Sequence, residues 1–180
     1  ARPINLHLKG FEALGATITT DKNCYHIVAK ELKGANIYLD FPSVGATINI
    51  MLAAVKAKGK TIIDNAAKEP EIVNVATLLN SMGAKITGAG TSSIEIIGVE
   101  HLGKCFHEVI PDRIEAGTYV ILGAACGNNL KIDNIIPAHI EALTSKLEEM
   151  GAYLDIGADY IIVSSMDNYQ PIHVKTQTYP

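Results

Sequence analysis

Hydrophobic positions along the chain follow two rhythms. Ile72, Val75, Leu79 and Met82 keep the i, i+3, i+7, i+10 spacing that lines one face of a helix. Ile140, Leu143, Leu147 and Met150 repeat this stripe 68 residues later. Each stripe ends in Gly-Ala, at Gly83-Ala84 and Gly151-Ala152. A glycine just past a helix supplies the positive φ that a C-terminal cap needs. Leu14-Gly15-Ala16 lies another 68 residues upstream and predicts the end of a helix around residues 7–14. Before the two later stripes come strand-like runs, Thr61-Ile62-Ile63-Asp64-Asn65 and Leu130-Lys131-Ile132-Asp133-Asn134. After them come pairs of short strands: residues 85–87 with 93–97, and 153–156 with 160–163. Ile94-Glu95-Ile96 alternates as a strand with one wet face should.

A second kind of helix precedes each copy, over residues 46–57 and 114–126. Both are apolar nearly all round, which predicts that both are buried. The repeating unit is therefore strand, buried helix, strand, amphipathic helix, strand, strand. Two copies are nearly whole, and the first begins within its amphipathic helix. Pro171-Ile172-His173-Val174-Lys175 is predicted to open a further strand. Repeats cut at both ends lead to the expectation that the chain belongs to a larger polypeptide. No GxGxxG or P-loop occurs, against the common dinucleotide and ATP folds.

Composition narrows the function classes. Of the 180 residues 48% are apolar, ample for a core. The net charge of −4 and pI near 5.8 provide no basic field for nucleic acid. Trp is absent and aromatics make up 6%, too few for base-stacking platforms. The longest apolar run, residues 48–55, is broken by Asn49 and too short for a bilayer, and residues 1–10 lack a signal-peptide core. Cys24, Cys105 and Cys126 have no CxxC spacing and read as reduced, inert core thiols of a cytoplasmic protein. Six dispersed histidines form no HxxxH or HExxH pair, so no metal is expected.

Two helix starts carry candidate chemistry. Ser43-Val44-Gly45-Ala46-Thr47 opens the first buried helix. It reads either as a Ser N-cap or as a loop whose amides and helix dipole hold a phosphate, and both can apply. Pro111-Asp112-Arg113-Ile114-Glu115 opens the second, with Thr118 in the place of Thr47. Asp112 and Glu115 fit a capping box, while Arg113 calls for a carboxylate or phosphate partner. Arg2 alone reads as a solvated terminal residue. Lys68-Glu69-Pro70-Glu71 reads as a turn with Pro at the first helical position.

Four segments, ARPINLHLKGFEALGA, LDFPSVGATINIMLAA, IDNAAKEPEIVNVATLLNSMGAKITGAGT and VIPDRIEAGTY, resemble in order the UDP-N-acetylglucosamine 1-carboxyvinyltransferases. The related 5-enolpyruvylshikimate-3-phosphate synthases share the fold but not these segments. The resemblance implies an inside-out α/β barrel of the enolpyruvyl transferase type, in two domains around a cleft. Residues 1–110 would finish the first, UDP-sugar-side domain, and residues 111–180 would start the second. It implies transfer of the enolpyruvyl group of phosphoenolpyruvate to the 3′-hydroxyl of UDP-N-acetylglucosamine, with release of phosphate. That step opens peptidoglycan synthesis, is the target of fosfomycin, and uses no cofactor. Other readings are a non-catalytic UDP-sugar-binding module, a shikimate-pathway transferase and an RNA-phosphate cyclase.

Carried over by position, Arg2 matches the family arginine facing the phosphate of phosphoenolpyruvate. Arg2, Pro3, Ile4, Asn5 and Leu6 match the segment lining the uridine nucleotide. Ser43, Val44 and Gly45 match the loop on the diphosphate, and Asp112 an acidic catalytic position at the cleft. Some members carry Lys just before the Ser-Val-Gly loop, where this chain has Phe41-Pro42. The family's proton-donating Cys is expected upstream of Ala1 and its Asp base beyond Pro180, which leads to the expectation of an internal fragment, inactive alone.

Overall fold

A computed structural model describes residues 3–22 and 24–179. They divide into two compact units, with the boundary between Glu108 and Val109.

The first unit contains α1 (Asn5–Ala13), β1 (Thr17–Asp21), β2 (Cys24–Val28), β3 (Asn36–Tyr38), α2 (Val44–Ala54), β4 (Lys60–Asp64), α3 (Pro70–Ser81), β5 (Lys85–Thr87) and β6 (Ser93–Ile97). β1 and β2 form an antiparallel hairpin. The other strands make one sheet in the order β3-β4-β6-β5, in which β3 and β4 are parallel and the remaining pairs antiparallel. Alternation decides which face is dry: Ile37, Ile63, Ile94, Ile96 and Ile86 point into the core, whereas Lys60 and Glu95 pair on the wet face at 2.6 Å. Ile50, Met51 and Ala54 of α2 and Ile72, Ala76 and Leu79 of α3 complete that core.

The second unit contains α4 (Arg113–Cys126), β7 (Leu130–Asp133), a 3-10 turn (Pro137–Ile140), α5 (Glu141–Glu149), β8 (Leu154–Ile156) and β9 (Tyr160–Val163). Its antiparallel sheet runs β7-β9-β8. Val120 and Ala124 of α4 pack with Ile132, Ile161, Val163 and Leu147.

The repeat is visible atom by atom at the helix ends. Gly15, Gly83 and Gly151 have φ of 96°, 102° and 97°. The amides of Ala16, Ala84 and Ala152 bond the carbonyls of Phe11, Leu79 and Leu147, each at 2.9 Å. Three helices thus end in one hydrogen-bonded cap, because only glycine takes this φ without strain. Asn65 and Asn134, after β4 and β7, also share a positive φ of 56° and 54°.

Three expectations need correction. Neither of the two apolar helices is buried all round: Leu52 of α2 is 47% exposed, and α4 is far more open, with Ile114 and Ile121 at 63% and 50% and Tyr119 and Leu122 also exposed. Its unit provides one sheet and the α5 segment to cover it, and that is enough for one face only. Cys24 and Cys126 are exposed rather than core; strand β2 is open on both faces, and Cys126 ends α4. Residues 171–175 form no strand and pair with no strand among the described residues.

Candidate functional site

The two helix starts of the first unit lie side by side. His7 of α1 packs on Gly45 and bonds Asn49 of α2, and a Cβ built on Gly10 would fall 2.3 Å from Ile50 Cδ1. Contacts that advance together, from 7 with 45 and 49 to 10 with 50, mean that the helices run the same way. Their N-termini therefore share one end of the unit.

Each start keeps amide donors available. α1 begins after Ile4 with no side-chain cap, and α2 after Ser43, whose Oγ accepts from the Ala46 amide at 3.3 Å. Neither has an acidic residue in its first turn. Unsatisfied N–H groups and two aligned dipoles make this end favourable to an anion. Ser43 is thus the cap the local sequence predicts, and its single bond leaves the amides of the first turn open. Thr47 is fully buried and accepts from the Ala67 amide at 3.1 Å, which ties α2 to the chain after β4.

The residues expected at the nucleotide segment distribute unevenly. Pro3 and Asn5 are exposed and Ile4 half-buried, at the start of α1. Leu6 is only 3% exposed and belongs to the core, so it offers a ligand its backbone and not its side chain. Val44 is half-buried and Gly45 open. Arg2 lies outside the described residues. Lys9 of α1 reaches Asp40 at 3.1 Å and puts a cation beside the loop that carries Phe41-Pro42.

Two residues that sequence reasoning passed over sit at the centre of this end. His7 is half-buried, and its Nδ1 lies 2.8 Å from Asn49 Nδ2. A Cβ on Gly45 would approach His7 Cε1 to 3.1 Å, so Gly45 makes room for the imidazole as well as for anything bound at the loop. The signal for this pair was Asn49 itself, the one amide in an otherwise apolar run.

The start of α4 has a different electrostatic character. Asp112 Oδ1 accepts from the amides of Ile114 and Glu115 at 2.8 and 3.2 Å. Its carboxylate occupies the position an anion would take. A cavity of about 370 Å³ beside it is lined by Pro111, Asp112, Glu115, Tyr119, Asp133 and Asn134. Lys131 bonds Asp133 at 3.1 Å and lies 4.8 Å from the Tyr160 ring centroid. Three carboxylates disfavour a phosphate here and suit hydroxyl or proton-transfer partners. Thr118 turns back to its own helix, donating to the Ile114 carbonyl at 2.7 Å, and does not repeat the bond of Thr47.

Across residues 1–180 the sequence matches the family described as EPSP synthase (3-phosphoshikimate 1-carboxyvinyltransferase). The chain belongs to the EPSP synthase family. Within that family it is 60% identical, over 179 residues, to UDP-N-acetylglucosamine 1-carboxyvinyltransferase 2 of Shouchella clausii, which covers 99% of this chain and 42% of that protein. The enzyme of the same name from Bacillus subtilis is 60% identical over 180 residues, with the same coverage. That of Listeria monocytogenes is 58% identical over 179 residues, again covering 99% and 42%. The chain thus spans about two fifths of the length of the curated relatives it matches. Among solved structures, the enolpyruvyl transferase NikO from Streptomyces tendae superposes with a TM-score of 0.83 at 23% identity, over 95% of this chain and 44% of that one. An EPSP synthase from Acinetobacter baumannii gives 0.68 at 22% identity, over 97% and 42%. These two likenesses establish the fold: an α/β repeat architecture of the enolpyruvyl transferase type.

Proposed function

We propose that this chain is part of a cytoplasmic enzyme that moves the enolpyruvyl group of phosphoenolpyruvate onto the 3′-hydroxyl of UDP-N-acetylglucosamine and releases phosphate, opening peptidoglycan synthesis. The observation that carries the reading is the 60% identity to UDP-N-acetylglucosamine 1-carboxyvinyltransferases over 99% of the chain. On this reading residues 1–110 finish a UDP-sugar-side domain and residues 111–180 start a second one.

The reaction adds an alcohol across an enol double bond and then eliminates phosphate. It needs cations and amide donors for the phosphates, and an acid and a base for the protons. Pro3, Ile4, Asn5 and the Leu6 backbone line the uridine end, and Ser43, Val44 and Gly45 hold the diphosphate through their amides. With Phe41-Pro42 in place of a lysine, backbone donors take the larger share. Arg2 faces the phosphate of phosphoenolpyruvate. Asp112, among three carboxylates, serves proton transfer. The chain's substrates are phosphoenolpyruvate and UDP-N-acetylglucosamine, with no role for nucleic acid. No described helix is long and apolar enough to cross a membrane.

The test is phosphate release by the full-length protein from phosphoenolpyruvate, with UDP-N-acetylglucosamine or shikimate 3-phosphate as acceptor. Turnover with the UDP-sugar alone is expected. Turnover with shikimate 3-phosphate alone would overturn the reading in favour of the other activity of the family. Replacing Gly45 with Val should raise the Kd for the UDP-sugar about tenfold, or ~1.4 kcal/mol. Unchanged affinity would return residues 43–45 to a purely capping role.

A further inference from the structure

The residues that follow β4 hold both ends of the loop between β3 and α2. Parallel pairing of β3 with β4 stops at Tyr38 and Asp64. Just beyond, the Leu39 amide donates to the Asp64 carbonyl at 3.0 Å, and the Asn65 side chain donates from Nδ2 to the Leu39 carbonyl at 2.8 Å. A carbonyl only accepts, so the Asn65 amide nitrogen must face it. Residues 40–46 follow, and on their far side Thr47 Oγ1 accepts from the Ala67 amide at 3.1 Å. Residues 65–67 are themselves fixed. The Ala66 amide donates to the Ser92 carbonyl at 3.0 Å, Ser93 Oγ donates to Asp64 Oδ1 at 2.7 Å, and Ala66 and Ala67 are buried.

Asn65 contributes twice. Its φ of 56° sets the direction in which residues 66 and 67 leave β4, and its amide holds Leu39. Glycine would adopt this φ more cheaply, but it would leave the Leu39 carbonyl without that donor. Asn134 repeats the φ at 54°, yet Thr118 bonds its own helix, so the second unit lacks the far-side anchor.

We propose that Asn65 is a positioning residue: by holding Leu39 while Ala67 holds Thr47, it fixes the course of residues 40–46 and so sets the affinity for the sugar-nucleotide acceptor without touching it. The proposal rests on the UDP-sugar reading above and adds a dependence on a residue outside the loop. Backbone donors bind best when their directions are set beforehand, because ordering a loop on binding costs affinity. A purely scaffolding Asn65 would affect stability and leave the two substrates equally served.

Kinetics and titration calorimetry on the full-length protein test it. Asn65→Gly keeps the left-handed backbone and deletes the amide. It should raise the Kd for UDP and the KM for UDP-N-acetylglucosamine about two- to tenfold, the net worth of one hydrogen bond. The kcat and the KM for phosphoenolpyruvate should stay within about twofold of wild type. Asn65→Asp, which turns an oxygen toward the Leu39 carbonyl, should weaken UDP binding further. The other anchor gives a test that does not depend on how Asn65 variants fold. Thr47→Val should produce the same selective rise, and Thr47→Ser, which restores an acceptor hydroxyl, should return both values to within about twofold of wild type. Unchanged affinity in Asn65→Gly, a loss shared equally by both substrates, or equal values for Thr47→Val and Thr47→Ser would overturn the proposal and leave the UDP-sugar reading standing. Failure of the wild type to bind UDP and the UDP-sugar would overturn both.

Discussion

Helices α2 and α4 occupy the same slot of the repeat, and the sequence makes them look alike: apolar nearly all round, with a capping residue in front and a threonine one turn in. The structure treats them differently. α2 lies among α1, α3 and a four-stranded sheet, so Ile50, Met51 and Ala54 are fully buried. α4 lies on a three-stranded sheet that lacks a counterpart of β3, since residues 98–112 carry no regular structure. Its second apolar face stays open. Apolarity on every side states a demand for burial, and only the elements around the helix decide how much of it is met. The helix starts diverge in the same way. A neutral serine leaves α2 receptive to an anion, and a carboxylate closes α4 to one.

The sharpest way to break this comparison is paired truncation. Ile50→Ala should destabilise the first unit by about 2–5 kcal/mol through lost burial and a cavity. Leu122→Ala on the open face of α4 should cost less than about 1 kcal/mol, since exposed apolar atoms have little burial to lose. Urea unfolding curves give both values, and equal losses would mean that α4 is covered in solution.

The threonines give the next largest contrast. Thr47→Val removes the acceptor of the buried Ala67 amide and should cost about 1–3 kcal/mol. Thr61 is just as buried, but its Oγ1 has no hydrogen-bond partner among the described residues, so Thr61→Val should be neutral or stabilise by up to ~1 kcal/mol. Opposite signs in denaturant midpoints would confirm that location, not residue type, sets the value of a hydroxyl.

The glycine caps should behave alike in both units. A Cβ at Gly83 or Gly151 would meet nothing within 4 Å, so only the backbone conformation resists it. Gly83→Ala and Gly151→Ala should each cost about 1–2 kcal/mol, the penalty of the left-handed region. Unequal costs would show that one repeat relaxes where the other cannot.

The smallest effect is electrostatic. The Lys58 ammonium, hydrogen-bonded to Glu31, holds that carboxyl below its ordinary value, with a minor push from Lys33. A lowered carboxylate pKa contributes stability above the unfolded-state value, and the contribution fades as pH falls through the folded one. Lys58→Ala should therefore flatten a slight acid-side loss of stability and leave neutral pH nearly unchanged. NMR titration of Glu31 reads the shift directly.

Much of the scaffold was legible because it rests on local chemistry. The stripes of α3 and α5, the strand pairs after them and the glycine caps depend on spacing and allowed φ, which neighbours in sequence control. The cap at Ser43 and the acceptor at Asp112 follow from orphan helix amides in the same way. The exposure of Cys24, Cys126 and half of α4 was not legible. Composition shows what a segment prefers to touch, and not whether anything is there to touch it.

The candidate site divides along the same line. The Ser43-Val44-Gly45 loop and the segment from Arg2 to Leu6 stand out as motifs in the linear chain, and their family resemblance can be read without coordinates. That α1 and α2 run side by side, that His7 packs against Gly45, and that its ring bonds Asn49 are long-range facts. They arise because residues 42 positions apart are joined by helix packing, and no local preference encodes such a contact. Sequence determined the repeat, its caps and the two helix starts; tertiary packing alone decided which start stays open to an anion and which side chain stands beside it.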